Sequence, residues 1–199
     1  MADPTVAYPD WYLHRWHFLP EGYLSRRSAR IYPTYVPRLY NQGRQSTVID
    51  LAANFLLVRA PARVLELGCG PADALERIGR RLEGPELTGL DLSPFFLEMA
   101  RDNPGLTQLG ANLVHGDAGA LQWPAASFEA VFAVHLFGHM PPQASTAALD
   151  EAVRVLTTGG RLLVVDHSWH PWATPAGARV LRVRRFNAGL ITLRALARE

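Results

Sequence analysis

The sequence predicts an open, doubly wound α/β sheet, mostly parallel, with an antiparallel hairpin on its C-terminal edge and a helical lid ahead of it. Three observations predict this. From about position 63 onward, short apolar runs alternate with helical stretches, the rhythm of strand–helix–strand crossovers. The runs are apolar on both faces, as strands covered by helices on two sides must be. The final stretch, "ARVLRVRRFNAGLITLRALARE", changes to period-two alternation on either side of "NAG", which suits two antiparallel strands closing one edge.

Each element has its own signal. Residues 1–42 are rich in aromatics and prolines ("YPDWYLHRWHFLPEGYL", "IYPTYVPRLYNQG"), and the prolines predict short helical pieces joined by turns. Residues 44–58 place Val48, Leu51, Ala52, Phe55 and Leu56 at helical spacing, and "APA" ends that helix. "RVLELG" reads as the first strand and "ADALERIGRRL" as the helix after it. "ELTGLDL" is the second strand; "SPFFLEMARDN" is a helix opened by Ser93 as cap, with Pro94 in its first turn. "ANLVHGDA" and "FEAVFAVHLF" follow as strands, then the helix "PPQASTAALDEAVRVL" and a glycine turn leading into the strand "RLLVVDHS". The division expected is a cap segment over 1–42 and a ligand-binding domain over 43–199.

Composition narrows the function. A chain of 199 residues, nearly half of them apolar, can bury one substantial core. All twenty basic residues are Arg, so lysine Schiff-base chemistry is excluded. A net charge of +2 gives no argument for nucleic acid. One cysteine, Cys69, excludes an internal disulfide and a multi-cysteine metal site. There is no basic-then-apolar leader pattern and no spanning apolar run, so a cytoplasmic protein is expected. The arginine clusters "SRRSAR" and "RVLRVRR" read as solvated faces or as contacts to an anionic partner or membrane surface.

The chemistry is concentrated at strand ends. In an open parallel sheet, ligands bind beyond the carboxyl ends of the strands. Three successive strands here end on or near an acid: Glu66 before Gly68-Cys69-Gly70, Asp91 about twenty residues later, and Asp117 after the third strand. Glycines allow a sharp turn and close approach of a ligand, and an acid at the second strand suits ribose hydroxyls. Glu66 would repel the pyrophosphate of a dinucleotide at the first turn. S-adenosyl-L-methionine has no phosphate and carries an ammonium and a sulfonium, so it suits this row of carboxylates.

These stretches resemble the class I S-adenosylmethionine-dependent methyltransferases. "VLELGCGPAD" is similar to their first motif, "GLDLSP" to the acidic second-strand motif, "GDAGALQWPAASFEAVFAVHLFGHM" to the run through the fourth strand, and "RVLTTGGRLLVVDHS" to the fifth. The likeness spans residues 48–166 in order; the ending resembles, more loosely, the last hairpin of the quinone-biosynthesis and phospholipid methyltransferase branch. The resemblance implies a Rossmann-like fold and S-adenosyl-L-methionine as cofactor, with S-adenosyl-L-homocysteine as product. It implies that Glu66, Gly68, Cys69 and Gly70 surround the methionine end, Asp91 holds the ribose, Leu92, Asp117 and Ala118 meet the adenine, and Ala133, Val134 and His135 lie under the sulfonium. Ala72 stands where the family often has a third glycine.

Methyl transfer from a sulfonium needs alignment and exclusion of water, and a phenol or activated carbon also needs a proton acceptor. His135 and His167 are the expected catalytic bases. Trp16, Tyr23, Tyr35, His139 and Trp169 are expected to contact the substrate, making an aromatic pocket. The aromatic N-terminal segment reads either as a lid over this pocket or as helices packed on the sheet edge. His135 and His139 are four apart, but with no carboxylate to match them no metal is expected. The expected function is methyl transfer to a small, aromatic or apolar organic molecule. Two alternatives stay open: a lipid or quinone methyltransferase at a membrane surface, and a cofactor-binding domain without transfer activity. Nucleic acid is not expected as a partner, and the sequence leaves the oligomeric state open.

Overall fold

The computed structural model describes residues 4–14, 19, 21–41, 45–167, 173–186 and 191–199. Seven strands form one sheet: β1 (Arg63–Leu67), β2 (Glu86–Asp91), β3 (Asn112–His115), β4 (Phe128–Val134), β5 (Leu156–His167), β6 (Ala178–Phe186) and β7 (Ile191–Arg198). Their order is β3-β2-β1-β4-β5-β7-β6. The first five strands are mutually parallel; β7 runs antiparallel between β5 and β6. This is the doubly wound sheet with an antiparallel edge that the sequence predicts. Chain direction splits between β1 and β4, so the crevice beyond their carboxyl ends is where a ligand fits.

Strand alternation sends side chains to two apolar layers. Val64 and Phe132 face a cluster made with α2 (Gln45–Leu57), α3 (Asp73–Gly79), α4 (Pro94–Arg101) and α5 (Pro104–Gln108). Leu65, Leu67 and Val131 face the opposite cluster, closed by α6 (Pro142–Val155) through Ala148, Leu149 and Ala152. Arg154 in α6 ties that layer down: its guanidinium donates to the carbonyls of Trp123 (2.9 Å) and Leu121 (3.0 Å).

Four local departures from the sequence reading have physical reasons. First, α1 (Arg26–Asn41) is one helix that passes through Pro33 and Pro37 rather than short pieces. A proline removes one backbone bond and crowds one carbonyl, at a cost of about 3 kcal/mol. Tertiary contacts hold the helix regardless: Tyr32 meets the Phe96 ring edge-to-face at 5.0 Å, and Arg26 reaches Glu98 on α4 at 2.8 Å. Second, α3 ends at Gly79, short of Leu82, and the Arg80 and Arg81 N–H groups close the last turn onto Glu76 and Ile78. Third, α5 was not expected; Asn103 caps it by accepting from the Gly105 N–H at 2.8 Å, and Pro104 fills the first turn. Fourth, the glycine turn expected before the fifth strand lies inside β5 as an irregularity. The register shifts between the Phe128–Leu156 and Ala130–Arg161 pairs, and Gly159 takes φ +75°.

Among the described residues no helix is long and apolar enough to cross a membrane. Leu65 is fully buried at the centre of the sheet. Leu65→Ala is expected to destabilise the fold by about 2–5 kcal/mol, through lost burial plus the cavity left behind. Chemical denaturation of the two proteins measures the difference.

Candidate active site

An open cavity of about 710 Å³, measured out to its mouth, lies beyond the carboxyl ends of the parallel strands. Its floor comes from the turns after β1, β2, β3 and β4, and aromatic side chains of the N-terminal segment and α4 form its roof.

The turn after β1 makes the approach possible. Gly68 and Gly70 have φ of +65° and +54°, a region that suits glycine. A Cβ on Gly68 would lie 2.7 Å from Leu136 Cδ1, so the turn packs against the loop after β4. A Cβ on Gly70 would meet nothing within 4 Å, so bare backbone faces open space there. Ala72 takes φ +62° at the start of α3, where the resemblance leads one to expect a third glycine.

Asp91 organises the next wall. Its carboxylate accepts the Gly70 N–H at 2.7 Å and the Ser93 N–H at 2.7 Å. Burial raises its pKa from 3.8 to about 6, while the N–H groups of Ser93, Gly70 and Leu92 work the other way. Glu66 is buried behind the same turn, 2% exposed. Leu75 donates its N–H to the Glu66 carboxylate, and Oε2 has no hydrogen-bond partner among the described residues. Burial, reinforced by Asp73 and Asp91, pushes this carboxyl well above its usual range. A buried carboxylate oxygen with no donor fits an amino or ammonium group and repels a phosphate. The donor set therefore fits S-adenosyl-L-methionine. Asp117 Oδ1 accepts the Gly119 N–H at 2.8 Å and holds the turn after β3 in shape.

At the other end of the cavity the loop after β4 meets the end of β5. His135 has φ +55°, a conformation a non-glycine residue adopts only when its surroundings enforce it. Its N–H donates to the Val165 carbonyl at 2.8 Å. His139 Nδ1 is 2.9 Å from the His135 carbonyl. A carbonyl can only accept, so Nδ1 carries the proton and Nε2 of neutral His139 is left as an acceptor. The His135 and His167 rings lie 4.9 Å apart. Asp166 anchors them from beneath, its carboxylate accepting N–H groups from Phe137 (2.7 Å), Gly138 (3.1 Å) and His167 (2.7 Å). Burial pushes the Asp166 carboxyl up. Burial also pushes His167 down, with the nearby Asp166 charge acting in the opposite direction.

Most of the residues expected from sequence converge here. Gly68, Gly70, Asp91, Leu92, Asp117, Ala118, Val134, His135, Tyr23 and His139 line the cavity. Glu66, Cys69 and Ala133 lie just behind the wall. Cys69 is buried with its sulfur toward Gly89, where a Cβ would meet it at 2.9 Å. Tyr35 is 44% exposed on α1, away from the lining. His167 is not in the lining; its ring meets that of His135 at a tilt of 33°. Trp16 and Trp169 fall outside the described residues.

Sequence reasoning passed over Phe96 and Met140; Tyr12 and Tyr32, which line the cavity with them, belong to the aromatic segment for which a lid is one of the two sequence readings. It also passed over Asp166, an acid directly before a histidine at a strand end, which was a readable signal.

Residues 64–160 match the family described as a methyltransferase domain (Methyltransf_25). Fold, acid row and this match agree with one another, and together they are similar to those of the class I S-adenosylmethionine-dependent methyltransferases. Within that class its likeness is to the quinone-biosynthesis branch. It is 37% identical over 115 residues to a demethylmenaquinone methyltransferase of Deinococcus radiodurans, covering 58% of this chain and 47% of the relative. It is 32% identical over 151 residues to the 27-O-demethylrifamycin SV methyltransferase of Amycolatopsis mediterranei, covering 74% of this chain and 54% of the relative. The chain thus spans about half the length of these curated relatives. The crystal structure of the PH0226 protein from Pyrococcus horikoshii shares the fold, with a TM-score of 0.72 at 15% identity, over 85% of this chain and 99% of that one.

The Asp91 shift has a stability consequence. Its folded pKa lies above the unfolded value, so the native state holds this proton more tightly. The stabilisation from this group is fully present below pH 3.8 and is lost as pH rises through about 6. The unfolding free energy of the parent minus that of Asp91→Ala is therefore expected to fall across this window, as read by denaturation at a series of pH values.

Proposed function

We propose that this protein transfers a methyl group from S-adenosyl-L-methionine to a small, apolar or aromatic organic acceptor. The observation that carries the reading is the pairing of Asp91 with the bare Gly70 backbone at one end of a cavity whose other end is histidine-lined, with the orphaned Glu66 oxygen buried behind the first turn. Asp91 would hold the ribose hydroxyls, and Glu66, through the first turn, the amino end. Leu92 and Ala118 would bracket the adenine, with Asp117 meeting its polar edge. When bound, the cofactor supplies an electrophilic methyl carbon on sulfur.

The protein's own part is alignment, exclusion of water and handling of the acceptor's proton. Tyr12, Tyr23 and Tyr32 line the cavity and would help exclude water once it is filled. His135 and His139 face the space left for the acceptor, and the His135–Asp166–His167 cluster is where its proton would be managed. Relatives named for a quinone precursor and for a rifamycin precursor support an acceptor of apolar, oxygen-bearing character. Calorimetry should detect cofactor binding. Asp91→Ala is expected to weaken it by about 1–3 kcal/mol, as for loss of a charged hydrogen-bond acceptor. Unchanged affinity in that variant removes the basis of the assignment. Mass spectrometry over a panel of phenols, quinols and carboxylic acids then identifies the acceptor.

A second reading, an acceptor drawn from a membrane surface, is favoured by β6. Arg179, Arg182, Arg184 and Arg185 are exposed on this edge strand, between exposed Val180, Leu181 and Val183. The last residue of β6, Phe186, pairs with Ile191, which pairs with His167 at the cavity end of the sheet. This reading expects flotation with vesicles containing anionic phospholipid, reduced when Arg184 and Arg185 become Glu, and no flotation with neutral vesicles. Absence of binding to either vesicle leaves an acceptor taken from solution.

A further inference from the structure

The sequence reading matched no carboxylate to the histidines after the fourth strand. The fold brings one. His135 at the end of the β4 loop, and Asp166 and His167 at the end of β5, each offer a ligand atom, and these atoms all lie within 4.8 Å of one another. We propose that His135, Asp166 and His167 form a binding site for a divalent first-row cation, at the acceptor end of the cavity.

The spacing of the two rings is compatible with two imidazoles on one ion. At a metal–nitrogen length of about 2.1 Å, each ring centre lies roughly 3.2 Å from the ion. The observed 4.9 Å between ring centres then corresponds to an angle of about 100° at the ion, between octahedral and tetrahedral. The third ligand is available. An ionised carboxylate has about four acceptor positions. Three on Asp166 are used: two on Oδ2 by the Phe137 and Gly138 N–H groups, one on Oδ1 by His167 N–H. Among the described residues nothing takes the remaining position on Oδ1. The three N–H bonds fix the carboxylate in the manner of outer-shell partners in metal sites.

Charge supports the same site. Asp166 is 2% exposed, and among the described residues no arginine forms an ion pair with it. A cation between it and the two imidazoles would compensate the buried charge. Two imidazoles and one carboxylate leave further coordination positions open, as in catalytic rather than structural sites. His135 lines the cavity, so an open position would face the acceptor.

The consequence for the reaction rests on the methyltransferase reading above. An acceptor hydroxyl bound at the open position would lose its proton to water, because a divalent cation lowers the pKa of a bound O–H. The oxygen lone pair would form the new bond to the methyl carbon as the carbon–sulfur bond breaks. That electron pair returns to sulfur and leaves S-adenosyl-L-homocysteine. Nitrogens that hold a metal cannot take a proton, so this role replaces that of an imidazole base.

The test uses the full chain, stripped with a chelator and titrated with Zn²⁺ in a calorimeter without S-adenosylmethionine. One ion per chain is expected. His167→Ala and Asp166→Asn should each weaken binding by at least the roughly tenfold that losing even an outer-shell partner costs. Co²⁺ loading should give visible absorption bands that His167→Ala abolishes. Circular dichroism confirms that each variant is folded; should Asp166→Asn fail to fold, His135→Ala and His167→Ala carry the test. No Zn²⁺ binding overturns the proposal, and so does equal binding in a folded His135→Ala/His167→Ala variant, which marks adventitious surface sites. Cofactor titration of the metal-free protein separates the two readings. Cofactor binding without zinc binding sinks this inference alone and leaves an imidazole as the proton acceptor. Zinc binding without cofactor binding keeps the cation site and sinks the methyltransferase reading.

Discussion

Asp91 accepts the Gly70 N–H and the Ser93 N–H, each at 2.7 Å, so one carboxylate joins the turn after β1 to the start of α4. Ser93 extends this link: its hydroxyl donates to the Tyr23 carbonyl at 2.6 Å and accepts the Phe96 N–H at 3.3 Å. The floor, a wall and part of the roof of the cavity therefore depend on one buried acid. Keeping that acid buried is unfavourable for its charged form, as its raised pKa records. Such a cost is characteristic of sites in which stability is given up for a binding geometry.

The same economy recurs at the far end of the sheet. Asp166 uses backbone N–H groups of the loop after β4 to set where His135 and His139 point. In both places a strand-end acid organises a neighbouring loop through main-chain donors, not through an ion pair. The described ion pairs, such as Arg26–Glu98 and Arg77–Asp50, are on the surface and contribute little individually. The interior acids are thus left able to act on a ligand.

The N-terminal segment belongs to the site physically. Tyr12 is 7% exposed and lies near Asp91 and Ser93, and Tyr23 stands edge-on to His139 at 6.1 Å. Trp11, Tyr12, Tyr23 and Tyr32 of this segment line the cavity. Tyr32 does both at once, lining the cavity while packing on Phe96 of α4.

The sequence by itself determined the strand order of acids, the glycine turn and the antiparallel edge. Those follow from local rules: period-two and apolar patterning, φ freedom at Gly68 and Gly70, and capping by Ser93. It also placed Asp91, Asp117 and His135 at the rim, because strand ends in a parallel sheet share one edge. Only the tertiary structure decided that α1 runs through two prolines, that Cys69 turns inward, and that Asp166 and His167 meet His135. Each depends on contacts between residues far apart in the chain, here across the β4–β5 pairing and the α1–α4 packing, which no local pattern encodes.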